Sequence, residues 1–566
     1  MNLYPFVIPS VLLFAICATE PVTHAQTSLS HAPPPALAAS AKAAAVDPML
    51  NAMEQELLRE RELLVLPGLE RPYFIEYRLD DFSTWDAIAS YGALTREEQN
   101  HQRVVRVTVR VGDYTSDSSS SAGDGSLVLA PEDNNPAALR YALWSATDAA
   151  YKTALGAYSA KQAALKRFEK QSTEKDFASA APAIHLEPLL TLTIDKVDWK
   201  HRISEGTGLF RTDPSLSAIT PAVQYSNATV RAVVVNRFLV NSEGTVLRHG
   251  YSIYSAQYNV GGQAADGMQL GRSNGSTAPS AAALESAPAF HQRVLDDVKS
   301  FAALRNAPVV GADDYHGPVL FSGDASTDVV DSLFVPNILA TRPAMGTTAR
   351  TVGEYQSSYH SRVLPTRFNV VDDPRRTTFD GQALVGSYEF DDQGVPAQPV
   401  DVVEQGKLIN YLTSRTPVRD FPTSNGHGRA VPGQAAQASA AVTIFSAVDP
   451  LSPAALQVKL LSMAREQKRD VYEVETLSGI APRVLFLVHP DGTRQLVRGA
   501  VFDELDNRSL RSDIIAAGSD EYVQNRFGAL PQTTIAPSIL FDDIGVKRAT
   551  EEQQKLPYYQ PPSAKE

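Results

Sequence analysis

Ser387–Arg415 reads SYEFDDQGVPAQPVDVVEQGKLINYLTSR. Short alternating runs are broken at Asp392-Gln-Gly394 and again at Glu404-Gln-Gly406, where glycine supplies the left-handed backbone that tight turns need. The stretch predicts strands joined by turns, and the same texture extends from about residue 310 onward. RVLFLVHPDGTRQLVRGAVF (Arg483–Phe502) predicts a hairpin around Pro490-Asp-Gly492. One helix interrupts the pattern, opened by Ser452-Pro453 and faced with Leu456, Leu460 and Met463.

Upstream, helices and strands alternate. Asp47-Pro48 is an N-cap followed by proline at N1, and MLNAMEQELLREREL carries an apolar stripe. Tyr73–Leu79 and Arg103–Val111 alternate as half-buried strands do. Ser116–Ser126 is a polar loop, and Pro136 to about Lys170 is an Ala-rich helix. Val230–Val240, the turn Asn241–Gly244 and the run after it predict a long hairpin. Residues 261–289 read as loop; Val294, Leu295, Val298, Phe301 and Leu304 then repeat at helical spacing. The fold class expected is α+β, an N-terminal α/β region over 47–310 and a β-rich domain over 311–566.

Residues 6–18, FVIPSVLLFAICA, form an apolar run followed by small residues at Thr23 and Ala25. The run is short for a membrane span and reads as an export signal over 1–25, with an uncleaved anchor as the alternative; a cleaved signal predicts a periplasmic or secreted protein with no integral membrane segment in its mature form. Residues 26–46, rich in Ala, Pro and Ser, read as a flexible leader. Cys17 is the single cysteine and falls inside the signal, so thiolate chemistry and disulfides drop out of the mature chain. The net charge of −13 over 566 residues and the lack of a Lys/Arg cluster argue against nucleic acid as a partner.

Few motifs carry chemistry. Zinc hydrolases present paired histidines on one helix, a pattern absent here. A scattered site drawn from His249, His316, His360, Asp372, Asp391 and His427 is the weaker metal reading. Gly271-Arg-Ser-Asn-Gly275 matches G-x-S-x-G without a preceding strand, and Ser172-Thr-Glu-Lys175 has the Ser-x-x-Lys spacing in a charged segment; both read as chance. The acidic pairs Asp372-Asp373, Asp391-Asp392 and Asp542-Asp543 read as turn formers. SNGHGRA (Ser424–Ala430) combines glycines that allow close approach with His427 and Arg429, which would meet a peptide carbonyl or carboxylate.

YHGPVLFSGDAS (Tyr315–Ser326), Ser387–Arg415, SNGHGRA and APSILFDDIGV (Ala536–Val546) together resemble the TldD/PmbA family of metallopeptidase-related proteins, also called modulators of DNA gyrase. SEGTVLRHGYSIYSAQYNVGGQAADG (Ser242–Gly267) is similar to that family's middle region. Gln393 stands where the family commonly has Glu. The resemblance implies association in pairs and a TldD-type subunit with a zinc-binding His-Glu-x-x-x-His helix and a Cys, acting on unfolded peptides. It puts Ser322, Gly323 and Thr327 at the motif positions, none able to ligate zinc. The resemblance therefore implies a PmbA-like member with no zinc of its own, binding extended peptide or pairing with a zinc-bearing TldD-like subunit. Asp391, Asp392, Gly394, Gly426, His427 and Arg429 are the expected border of a peptide groove, and Ser326, Thr327 and Asp328 the expected opening of a helix. An active peptidase with another metal site, and a structural envelope protein, are the alternatives.

Overall fold

The computed structural model describes residues 34–119, 125–167, 174–550, 554–557, 559 and 562. The export signal, the first residues of the leader, part of the Ser116–Ser126 loop and Ser172 lie outside them.

The N-terminal half is built on one large sheet. Its strands are β1 (Pro72–Ser90), β2 (Ala93–Val111), β3 (Ser126–Leu129), β4 (Ile184–Leu186), β5 (Tyr225–Asn241), β6 (Val246–Gln263) and β7 (Gln269–Ala278). Their order is β3-β2-β1-β5-β6-β4, with β7 also on β6. The first hairpin turns through Tyr91 and Gly92, both at positive φ, as a tight two-residue connection requires.

Alternation decides what each face meets, because successive strand side chains point to opposite sides. Ile75, Tyr77, Leu79, Trp85, Ala87 and Ala89 of β1 share one face with Ala228, Val230, Ala232 and Phe238 of β5. On that face α2 (Pro48–Leu63) and α3 (Pro136–Leu165) cover one end, and α4 (Lys196–Thr212) and α5 (Ala287–Asn306) the other. The opposite parity carries Asp80, Arg237 and His249. These three are register partners on adjacent strands, Asp80 beside Arg237 and Arg237 beside His249.

The β-rich half contributes β8 (Tyr315–Phe321), β9 (Phe368–Asp372), β10 (Thr378–Phe379), β11 (Gln382–Ala383), β12 (Val400–Glu404), β13 (Lys407–Leu408), β14 (Gly428–Arg429) and β15 (Gln437–Ala438). Next come β16 (Val442–Ala447), β17 (Val471–Ser478), β18 (Ala481–Val488), β19 (Arg494–Val497), β20 (Ala500–Asp503), β21 (Ile514–Ala517), β22 (Tyr522–Phe527), β23 (Pro531–Ala536) and β24 (Ile539–Arg548). They form two large sheets, β13-β12-β9-β16-β23-β22 and β19-β18-β17-β8-β24-β20 with β21 on β24. One apolar cluster joins them, with Val319, Phe321 and Phe541 from one sheet, Phe368, Val370 and Phe445 from the other, and Val329 and Phe334 from the helical turns after β8. The helix at Pro453–Gln467 has Ser452 as its N-cap, as expected, and buries Leu456 and Leu460 against Leu320 and Leu540.

Four expectations change. Residues 35–44, read as flexible leader, form the helix α1 (Pro35–Ala44), whose Leu37, Ser40 and Ala44 are buried. Proline at N1 pre-sets its first turn, and alanines pack closely without giving a strong apolar period. Residues 269–278, read as loop, are β7, because a strand of Gly, Ser and Asn pairs through its backbone with little side-chain signal. In Arg483–Phe502 the hairpin ends at Val497, and β20 pairs with β24 instead. Within Ser387–Arg415 only β12 and β13 are strand, joined through Gln405 and Gly406 at positive φ.

Candidate functional site

The strand-to-helix junction after β8 is built from Ser322 in extended conformation and Gly323 at φ 41°. The helix α6 (Gly323–Val329) starts there, passes through a wider turn at Val330–Phe334 and tightens over Val335–Ile338. Ser326, Thr327 and Asp328 therefore lie within the helix rather than opening it. The Ser326 hydroxyl donates to the Gly323 carbonyl at 2.7 Å. That of Thr327 lies 2.8 Å from the Asp324 carbonyl and 2.6 Å from Gln524 Oε1. The Ser322 hydroxyl donates to the Val474 carbonyl and the Gly323 N–H to Ser538 Oγ. Ser322 stands before the helix, so the triplet Ser322, Gly323 and Thr327 does not share one helical face. Residues 323–338 hold no His, Glu or Cys in any register.

What this junction does hold is a charged cluster. Arg526, from β22, is ion-paired with Asp331 and with Asp328 at 2.5 Å, and donates to Gln524 Oε1 at 2.7 Å. Thr534 hydrogen-bonds Asp331. Burial pushes the Asp324 carboxyl up to about 6, with the like charge of Asp328 adding and Arg526 and Arg272 opposing. Three aspartates around a guanidinium are not the imidazole and thiolate set that tetrahedral zinc favours. Among the described residues, no group of three or more His, Cys, Asp or Glu side chains is placed to hold a metal ion.

The other expected residues come together in a buried polar seam between the halves. Asp391 closes the first turn of the diagnostic stretch: one oxygen accepts the N–H groups of Gln393 and Val395 at 3.0 and 2.8 Å, the other that of Gly428 at 2.9 Å. Burial raises its carboxyl to about 6 against those three donors. Gly394 sits at φ 83°, and a Cβ there would lie 2.9 Å from Thr245 Cγ2. Gly426, at φ 81°, accepts the Tyr388 hydroxyl on its carbonyl.

Asp392 crosses to the large sheet. It is ion-paired with Arg237 Nη1 at 2.5 Å and Arg429 Nε at 3.1 Å, and accepts the Ala430 N–H at 2.7 Å. Burial alone would raise its carboxyl, but Arg237, Arg429 and His249 hold it far below the usual range. Arg237 Nε also donates to Asp80 at 2.5 Å, and Asp80 accepts the Gly433 N–H at 2.8 Å. His249, 3.7 Å from Asp392, is lowered to about 4 by burial first, against the pull of that carboxylate. His427 lies 3.2 Å from Asp372, whose carboxylate also takes the Thr443 hydroxyl at 2.7 Å. Gln393 Oε1 accepts the Arg415 N–H at 2.8 Å, and the Arg415 guanidinium pairs with Glu243 at 2.7 Å.

All six residues expected to border a groove are thus neighbours in space, and all are buried, Arg429 at 5 %. In this chain Asp392 is engaged by Arg429, by Arg237 of β5 and by His249 of β6, Asp391 by backbone N–H groups, and His427 by Asp372 of β9. Of the scattered histidines, His249 and His427 join the seam, while His316 and His360 are exposed. Asp373 does form a turn, accepting the Arg375 N–H, and Asp542 and Asp543 are exposed on β24. Sequence reasoning missed Asp80, Arg237 and Glu243. The available signal was a charge at an alternating position of an otherwise apolar strand, as at Arg237 in VRAVVVNRFLV.

Residues 314–548 match the family described as PmbA/TldA metallopeptidase C-terminal domain. No curated protein matches the chain. Among solved structures, a candidate modulator of a DNA gyrase from Thermotoga maritima is similar at TM-score 0.57 and 14% identity, covering 88% of this chain and 99% of that one. TldE from Thermococcus kodakarensis is similar at TM-score 0.57 and 12% identity, with 88% and 99% covered. A second candidate gyrase modulator, from Bacteroides thetaiotaomicron, gives 0.55 and 11%, with 88% and 98% covered. At such identities the structures share the fold, and the matched domain coincides with the β-rich half that begins at β8. The β-rich part of the chain, residues 314–548, is thus a domain of the PmbA/TldD family, and the chain shares the fold of these solved structures.

Proposed function

We propose that this protein is an exported, non-catalytic member of the family that binds extended, unfolded peptide and pairs with a zinc-bearing TldD-like subunit. The observation that carries the reading is the helical segment 323–338, which has no imidazole, thiol or glutamate, and beside which Arg526 supplies positive charge between Asp328 and Asp331. A metallopeptidase needs an open metal position and a general base, and these residues offer neither. For peptide, the physical route is strand addition, in which backbone hydrogen bonds give affinity with little sequence dependence. The outer edge of β2 suits it: β3 pairs with Val104–Val107, and among the described residues no strand pairs with Ala93–Gln102 on that side. Export rests on the apolar run at residues 6–18.

The deciding experiment is purification of the protein from its native envelope, followed by zinc analysis and a peptidase assay with and without chelator. The expected result is no stoichiometric zinc and no cleavage by the chain alone, with chelator-sensitive cleavage when a zinc-bearing family member co-purifies. Stoichiometric zinc together with chelator-sensitive cleavage by the isolated chain would overturn the reading.

A further inference from the structure

The stretch Gly271–Gly275, whose match to a nucleophile motif is accidental, lies in β7 rather than at a turn. Beside it runs α5, and between them is a cavity of about 470 Å³. Its rim is exposed, with Asn274, Gln292 and Asp296. Its floor is not: Arg272 is 9 % accessible and Asp297 3 %.

Those two floor residues are under-partnered. Arg272 Nη1 donates to Thr476 Oγ1 at 2.9 Å, but among the described residues its Nε has no hydrogen-bond partner, and neither has Asp297 Oδ2. Arg293, the other cation of the cavity, is already committed to Glu285, to which it donates at 2.6 and 2.9 Å, and to the Asn274 carbonyl at 2.7 Å. Burial pushes the Asp297 carboxyl up to about 6, with Arg272 and Arg293 opposing. Leaving a buried charge without its partner costs several kcal/mol. Two opposite buried charges that line one cavity, each with an unused polar atom, leave a gap that a ligand of matching charges fills.

The chemistry of that ligand is set by the two ends. A guanidinium edge selects a carboxylate, and a carboxylate selects an ammonium. A simple anion would satisfy Arg272 and leave Asp297 unpaired, and a simple amine the reverse. We propose that the cavity between β7 and α5 binds a small zwitterion of amino-acid type, its carboxylate on Arg272 and its ammonium on Asp297. The volume falls within the range of small-molecule sites and admits a free amino acid or a dipeptide. The inference stands apart from the zinc-free reading, since none of its residues belongs to α6.

The test is calorimetric titration of the full chain with panels of free amino acids and of dipeptides, using propionate and ethylamine as single-charge controls. At least one zwitterion is expected to bind saturably, with both controls about tenfold weaker or worse. Tighter binding within the amino-acid or the dipeptide panel identifies the source. Asp297→Asn keeps the shape and removes a buried charge, so it folds, and it is expected to weaken binding about tenfold, as is Arg272→Gln. No saturable binding by either panel, controls that bind as tightly as the zwitterions, or affinity unchanged in the folded Asp297→Asn protein would each overturn the proposal.

Discussion

Two clusters of arginine and aspartate in this molecule look alike in composition and differ in what surrounds them. In the seam, Asp80, Arg237, Asp392 and Arg429 are almost wholly buried, and the Arg237–Asp392 pair crosses from the large sheet to the β-rich half. At the α6 junction, the side chain of Arg526 is 32 % accessible while it pairs with Asp328 and Asp331. A buried pair that loses one member leaves an unsolvated charge, whereas water rescues a partly exposed one. The first cluster is therefore a structural clamp, and the second is the more replaceable of the two although it lies where the family's metal chemistry is expected.

The largest effect should come from breaking the clamp. Arg237→Met removes the cation that Asp80 and Asp392 share, leaving Asp80 with Arg78 and Asp392 with Arg429, and a loss of about 3 kcal/mol in urea unfolding is expected. Adding Asp392→Asn should recover part of it, and a double-mutant cycle that is simply additive would show that the two side chains are not coupled. Next comes His249. Its folded pKa, about 4, lies below the ordinary histidine value, so its contribution is fully present above about 6.5 and is lost as pH falls toward 4. Asp391 works the other way, its raised carboxyl favouring the folded state at low pH. The difference between wild type and His249→Gln isolates the histidine, and wild type should lose about 3 kcal/mol relative to the variant between pH 7 and 4. Parallel profiles would mean that His249 does not change protonation on folding.

How far these clusters could be read from sequence depends on where their partners sit. The turn at Asp391–Val395 and the glycines of SNGHGRA were legible, because turn chemistry is local. Arg237 was visible as a charge out of step with its strand, but its partners are 157 and 155 residues away in sequence, and only sheet register brings them together. Register over long separations has no local signature. The expectation of a groove border identified real neighbours, while their burial depended on the docking of the two halves. β7 was lost for a different reason: GRSNGST has no apolar alternation, so backbone pairing with β6 is its only strand character.

Gly394→Ala probes the turn that carries Asp391 and Asp392. A left-handed residue with Cβ 2.9 Å from Thr245 is strained in both backbone and packing, and a loss of about 1–2 kcal/mol is expected. Arg526→Gln, at the other cluster, is the smallest and the most discriminating change. With a third of the side chain in water, its removal should cost about 1 kcal/mol or less. The freed aspartates gain no imidazole, so zinc titration by calorimetry should show no tight site in the variant. If zinc bound tightly once Arg526 was gone, the guanidinium would be masking a metal site made of carboxylates, and the two clusters would differ in chemistry as well as in burial. If instead Arg526→Gln destabilised the protein as strongly as Arg237→Met, solvent exposure would not be what separates the clamp from the junction.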